Sequence, residues 1–155
     1  MKICIIRNDR MGDMILTFPV IKSIKEENVK STVHLIGSKN NKNISKHFSF
    51  IDKFIQKPKS LLNFISLVKF IRYEKYDYYL NFSPNWFGVF LGVFSKSKIK
   101  SSLVFQSRYK SQIFGKFWKV FFNKLFFSET IIVNRFKLLK QNKDIHQTKI
   151  MASLT

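Results

Sequence analysis

Ile3, Cys4, Ile5 and Ile6 stand in succession with no polar residue between them. Successive side chains of a strand point to opposite faces, so this run has no face to offer water. It requires a strand covered on both sides, the usual state of strands in a parallel sheet flanked by helices. Lys2–Arg7 is therefore the first strand, and the rest of the chain follows the same logic. Met14–Glu27 carries apolar residues at 14, 15, 18, 21 and 24, which is helical spacing. Pro19 lies inside it, either as a kink or as the true first turn. Thr32–Ile36 is a second strand ended by Gly37, Asn40–Phe48 a short polar helix, and Ile51–Gln56 a third strand before Pro58. Leu61–Tyr73 is an amphipathic helix, Tyr76–Phe82 a fourth strand, Trp86–Phe94 a helix and Lys98–Phe105 a fifth strand. Beyond these, Gln112–Phe127 reads as a helix with a polar stripe of Lys116, Lys119, Asn123 and Lys124, and Asn134 to Thr155 as another. Strands alternating with helices over short connections define an α/β protein with a Rossmann-like, doubly wound parallel sheet. No repeat or linker divides it, so residues 1–155 read as a single domain.

The charge balance narrows the partners. Lys and Arg number 28 against nine Asp and Glu, a formal net charge of +19. Abundant Lys, Asn, Ile and Phe together also arise from compositional drift, so a solvated basic surface is one reading of this excess. The other is an anionic partner: a phosphorylated glycan, an anionic membrane surface or nucleic acid. Nucleic acid ranks lowest, because the lysines are dispersed and no helix-turn-helix, RRM or OB pattern is present. Cys4 is the single cysteine, which excludes an internal disulfide. The first apolar run ends at Arg7, too short for a signal peptide. Tyr78–Ser95 is uncharged over 18 residues, but Asn81, Ser83, Pro84 and Asn85 divide it into a strand and a helix rather than a membrane span.

The turn after the first strand holds the chemistry. In such sheets ligands bind beyond the carboxyl ends of the strands, which places Asn8–Asp13 at a ligand site. Gly12 stands alone, without the glycines of a dinucleotide fingerprint, and Asp13 follows it where a P-loop needs lysine. His34, His47 and His146 are too scattered for a zinc pattern, and no metal site is expected. Two roles are open to Asp13. It can cap the helix beginning at Met14, or face the crevice as a general base. A helix N-terminus favours an anion there, which suits a base that takes its proton late in the reaction. Gly12, for its part, can supply a backbone conformation that a side chain would forbid.

The stretch IIRNDRMGDMILTFPVIKSIKE resembles the opening of glycosyltransferase family 9, the ADP-heptose:lipopolysaccharide heptosyltransferases. The match runs through Arg7, Gly12, Asp13, Thr17 and Pro19. SFIDKFIQ, KYDYYLNFSPNWFGVFLGVF and DIHQTKIMASL resemble later landmarks of that family in the same order. The resemblance implies the N-terminal half of a GT-B fold, the acceptor-binding domain of an inverting enzyme that uses neither metal nor cofactor. Asp13 would be its general base. Arg10, Met11 and Gly12 would shape the acceptor side, with Thr17 as a further candidate. The donor would be ADP-heptose or a related nucleotide sugar, and the acceptor lipopolysaccharide inner core. Both would be met in the cytoplasm at the inner face of the inner membrane, where the protein would be peripheral. The family's C-terminal donor-binding domain is not matched, so the chain is expected to be truncated and inactive alone, or to act with a separate donor-binding domain. The competing reading is a non-catalytic basic protein whose Lys116, Lys119 and Lys124 contact an anionic membrane or glycan surface.

Overall fold

The computed structural model describes residues 1–83, 85–105, 121 and 124–133. Among them, β1 (Lys2–Ile6) lies between β2 (Thr32–Gly37) and β4 (Tyr78–Asn81) and is parallel to both. β3 (Lys53–Gln56) extends the sheet past β2, and β5 (Ile99–Phe105) and β6 (Glu129–Val133) extend it past β4. The order β3-β2-β1-β4-β5-β6 makes a six-stranded parallel sheet, so the α/β doubly wound reading holds. The unbroken apolar run explains why β1 is central. Ile3 and Ile5 face one layer, with Met14, Phe18 and Ile21 of α1 (Met11–Glu27). Cys4 and Ile6 face the other, with Leu67 and Ile71 of α3 (Leu61–Glu74) and Val89 and Leu91 of α4 (Trp86–Phe94). Each of these eleven side chains is at most 7% exposed, and burying an aliphatic one fully contributes about 1.5–3 kcal/mol.

Local chemistry sets the helix ends. Ser60 caps α3 by accepting the Asn63 N–H at 3.3 Å, and Lys75 in the left-handed region (φ 52°) terminates it. Asn85 caps α4 by accepting the Gly88 N–H at 3.1 Å. Gly88 is required there for another reason. A Cβ would lie 2.2 Å from Oδ1 of the buried Asn81, so α4 approaches β4 only because the side chain is absent.

Several boundaries differ from expectation. α1 begins at Met11, three residues earlier than Met14, and Pro19 lies within it rather than in its first turn. Pro19 is exposed, and its missing N–H leaves the Ile15 carbonyl without an intrahelical donor. Gly37 is the last residue of β2 instead of a terminator, and Asn40–Phe48 resolves into a 3₁₀ turn at Lys39–Asn41 and the one-turn α2 (Lys42–Ser45). β6 falls where the sequence reading left only a gap between two helices. Residues 121 and 124–126 are helical, as expected; the remainder of the Gln112–Phe127 helix and the Asn134–Thr155 helix lie outside the described residues. No helix among the described residues is long and apolar enough to cross a membrane.

In a parallel sheet all strand carboxyl ends share one edge. The acids divide sharply between the two edges. At the amino edge Asp52, Glu74 and Asp77 pair with Lys25, Lys2 and Lys98 at 2.7, 2.9 and 2.6 Å. At the carboxyl edge, among the described residues, lie Asp9 and Asp13.

Candidate functional site

From β1 the chain winds outward through β2 and β3, then returns to β4 on the other side of β1. At that reversal the loops leaving β1 and β4 part toward opposite faces, which opens a crevice between them. Arg7, the residue after β1, is 1% exposed and ties the two loops together. Its Nε donates to the Asp13 carbonyl at 3.2 Å and its Nη1 to the Phe82 carbonyl beyond β4. Nη1 also lies 3.5 Å from Asp9 Oδ2, and Nη2 lies 3.4 Å from Asp13 Oδ1. One guanidinium thus holds two carboxylates and two backbone carbonyls, a task for which its planar fork is suited. Both carboxylates remain partly accessible, at 17% for Asp9 and 15% for Asp13.

Amides and hydroxyls complete the crevice. The Asn8 N–H donates to Ser83 Oγ at 2.8 Å, and Asn85 Nδ2 donates to Asn8 Oδ1 at 2.5 Å and Asp9 Oδ1 at 3.2 Å. Asn41 Nδ2 reaches the Asp9 carbonyl at 3.4 Å from the third side. Asn8 Nδ2, Asp9 Oδ2 and Asn41 Oδ1 are buried and have no hydrogen-bond partner. Asp9 Oδ2 has the Arg7 ion pair, but buried polar atoms rarely go unsatisfied, and the two amide atoms left open beside it mark a place suited to a polyhydroxylated ligand or ordered water. No group of three or more His, Cys, Asp or Glu placed to hold a metal ion occurs among the described residues.

The residues anticipated from sequence fall into two sets. Asp13 is in the first turn of α1 but does not cap it; Arg10 is the N-cap residue, and its side chain makes no cap bond. The capping role is therefore excluded, because a helix that starts at Met11 places Asp13 past the cap position. Arg10 and Met11 are exposed at the mouth of the crevice, beside Gly12. Gly12 has an ordinary helical backbone, and a Cβ there would meet nothing within 4 Å. Its backbone does not demand glycine; instead it leaves open space above the first turn. Thr17 is fully buried one turn below, where its hydroxyl donates to the Asp13 carbonyl at 2.8 Å. It braces the turn rather than lining the crevice. Lys124 is exposed in the helical residues just ahead of β6, while Lys116 and Lys119 lie outside the described residues. Sequence reasoning placed the Asn8–Asp13 loop at the ligand site without singling out Asn8 or Asp9, and it missed Asn41, Ser83 and Asn85. The signal available for Asn85 was its place as an N-cap residue just before Trp86, at the end of a strand.

The parallel sheet with its crevice at the strand-order reversal defines a Rossmann-like domain with the fold of the N-terminal half of GT-B glycosyltransferases. Solved structures and a curated relative agree. A glycosyl transferase family 9 protein from Veillonella parvula superposes with a TM-score of 0.69 at 19% identity, covering 99% of this chain and 39% of that one. The E. coli heptosyltransferase WaaC with ADP-2-deoxy-2-fluoro heptose gives 0.71 at 12% identity, over 99% and 47% of the two chains. In sequence, lipopolysaccharide heptosyltransferase 3 of Escherichia coli is 26% identical over 121 residues, 74% of this chain and 34% of that protein. No family model matches the chain. The resemblance to glycosyltransferase family 9 is borne out by these similarities, and the chain spans about a third of the length of the curated relative it matches.

Proposed function

We propose that this domain is the acceptor side of a heptosyltransferase-like enzyme of lipopolysaccharide core synthesis, with Asp13 as its general base. The observation that carries this reading is the position of Asp13 at the strand-order reversal, ion-paired to buried Arg7 and next to the open space above Gly12. The sequence similarity to a lipopolysaccharide heptosyltransferase supports the choice of sugar and acceptor. In the reaction an acceptor hydroxyl attacks the anomeric carbon of ADP-heptose, the bond from that carbon to the diphosphate oxygen breaks, and ADP departs. The hydroxyl proton passes to the Asp13 carboxylate. Arg7 holds that carboxylate from below, and Asn8, Asp9 and Asn85 supply hydrogen bonds to the acceptor sugar. Orientation of the two substrates provides much of the rate in such a displacement, and the nucleotide sugar is held by a donor-binding domain facing this one. The enzyme works at the inner face of the inner membrane.

The test is heptose transfer from ADP-heptose to an inner-core acceptor, in a polypeptide that joins this domain to a donor-binding domain or in a mixture of the two. Asp13→Asn keeps the side-chain shape and removes the base. We expect kcat to fall by about 10²–10⁴ with acceptor affinity nearly unchanged. Retention of activity within about tenfold would remove Asp13 from the base role.

A further inference from the structure

We propose that the corner between β3 and α3 is the surface by which this domain rests on an anionic lipid bilayer. Leu61 and Leu62 open α3 and are 75% and 76% exposed, and Ile65, one turn on, is 44% exposed. Positions 61, 62 and 65 share a helical face distinct from the one that carries Leu67 and Ile71 onto the sheet. Core packing therefore does not account for them. Beside them lies an open cavity of about 540 Å³ lined by Lys53, Lys57, Lys59, Asn63 and Ser66 among others. The ammonium groups of Lys53 and Lys57 sit over the rings of Phe70 and Phe87, at 4.4 and 4.9 Å. At the carboxyl-edge end, from Lys57 to Ile65, the chain carries Lys57 and Lys59 and no acid, and the first turn of α3 adds the positive end of its dipole.

Aliphatic side chains flanked by lysines complement the headgroup layer of a membrane, where the apolar tips insert and the ammonium groups meet lipid phosphates. Three side chains fall well short of the ~800 Å² that a stable protein interface buries on each partner. The corner lies on the carboxyl edge of the sheet, two strand spacings, or about 10 Å, from β1 and its crevice. Docking there brings the mouth of the crevice to the headgroups, where a lipid-anchored sugar acceptor is presented. That last consequence rests on the proposed function; the membrane contact itself does not.

Vesicle co-sedimentation of the full chain tests the proposal with no donor or acceptor sugar present. Phosphatidylcholine vesicles are compared with vesicles that also contain phosphatidylglycerol. We expect binding to require phosphatidylglycerol. Lys57→Gln with Lys59→Gln should lower the partition coefficient by about 25-fold, roughly fivefold per lysine. Leu61→Ser with Leu62→Ser should lower it by about tenfold at unchanged charge. A control pair on other surfaces, Lys30→Gln with Lys46→Gln, should change it by no more than about threefold. Lys57 is half-buried against Phe87 and the other side chains are exposed, and circular dichroism with a melting curve verifies that each variant is folded. The proposal is overturned if the control pair weakens binding as much as the corner lysines, which would make adsorption a matter of net charge. It is equally overturned if the leucine variant binds like the unmodified chain, or if inorganic phosphate displaces the protein at constant ionic strength. Normal vesicle binding by an inactive transferase, or the reverse, tells failure of one proposal from failure of the other.

Discussion

Replacing Arg7 by methionine keeps a long apolar stem in the buried slot and removes the guanidinium. The Phe82 carbonyl then loses its side-chain donor, while the Asp13 carbonyl keeps the Thr17 hydroxyl. An unsatisfied buried acceptor costs about 1–3 kcal/mol. The two carboxylates lose a cation at 3.4–3.5 Å, but both are partly wetted, so each contributes only about 0.5–1 kcal/mol. The sum is about 3 kcal/mol. For a domain of this size that corresponds to a fall in Tm of roughly 6–12 °C, measured by urea and thermal unfolding followed by circular dichroism. A loss below about 1 kcal/mol would refute the clamp. A second leg depends on sign alone. With Arg7 present, Asp13→Asn removes a favourable ion pair and should destabilise the fold. In the Arg7→Met background it removes one of two carboxylates left without their cation, and should be neutral or stabilising. The same destabilisation in both backgrounds would show that Arg7 and Asp13 are uncoupled.

Two further predictions address the crevice and the amino edge. Gly12→Ala should raise stability by about 0.5–1 kcal/mol, because a Cβ has free space in an ordinary helical turn. In the transfer assay the same methyl intrudes where the acceptor lies, so Tm should rise while activity falls; a fall in both would show that the space above Gly12 is needed by the fold. On β2, burial pushes the pKa of His34 below its ordinary value, against a smaller upward pull from Glu74. The ring is hydrogen-bonded through Nδ1 to the hydroxyl of Tyr76, whose ionisation burial also opposes. A lowered folded pKa means that His34's contribution is complete above about pH 6.5 and is lost as pH falls through the folded value. Stability measured from pH 7 down to pH 5 should therefore decline more steeply in the unmodified chain than in His34→Gln, and parallel curves would contradict the assignment.

The sheet was legible because β1 announced itself. A short, isoleucine-rich apolar run reads as a strand buried on both faces, and the helices between strands then point to parallel pairing. Trp86–Phe94 was placed to the residue, since Asn85 caps it and Ser95 ends its apolar run. β6 was missed although Thr130-Ile131-Ile132-Val133 is a β-branched run, because the aromatic stretch before it has helical spacing and absorbed the boundary. The start of α1 was placed late because Met11 and Gly12 face solvent and carry no periodic signal. At the crevice, Asp13 could be found from its own loop. Asn85 offered only a helix-cap signal and Ser83 and Asn41 none, since what makes the three neighbours of Asn8 and Asp9 is the order of strands in the sheet rather than distance along the chain.

That order also dictates when the crevice can exist during synthesis. The turn carrying Asp9 and Asp13 leaves the ribosome before the residues that fasten it. Its fasteners are the Phe82 carbonyl, Ser83 and Asn85, 75 to 77 residues later. At about 5–20 residues per second the nascent turn waits roughly 4–15 s for them. During that interval Arg7 has no Phe82 carbonyl to grip, and β1 has only its β2 neighbour, with its other hydrogen-bonding edge open. The turn that carries both crevice carboxylates is thus made well before it can be locked. A chaperone that shields a nascent Ile-Cys-Ile-Ile strand would act in that window.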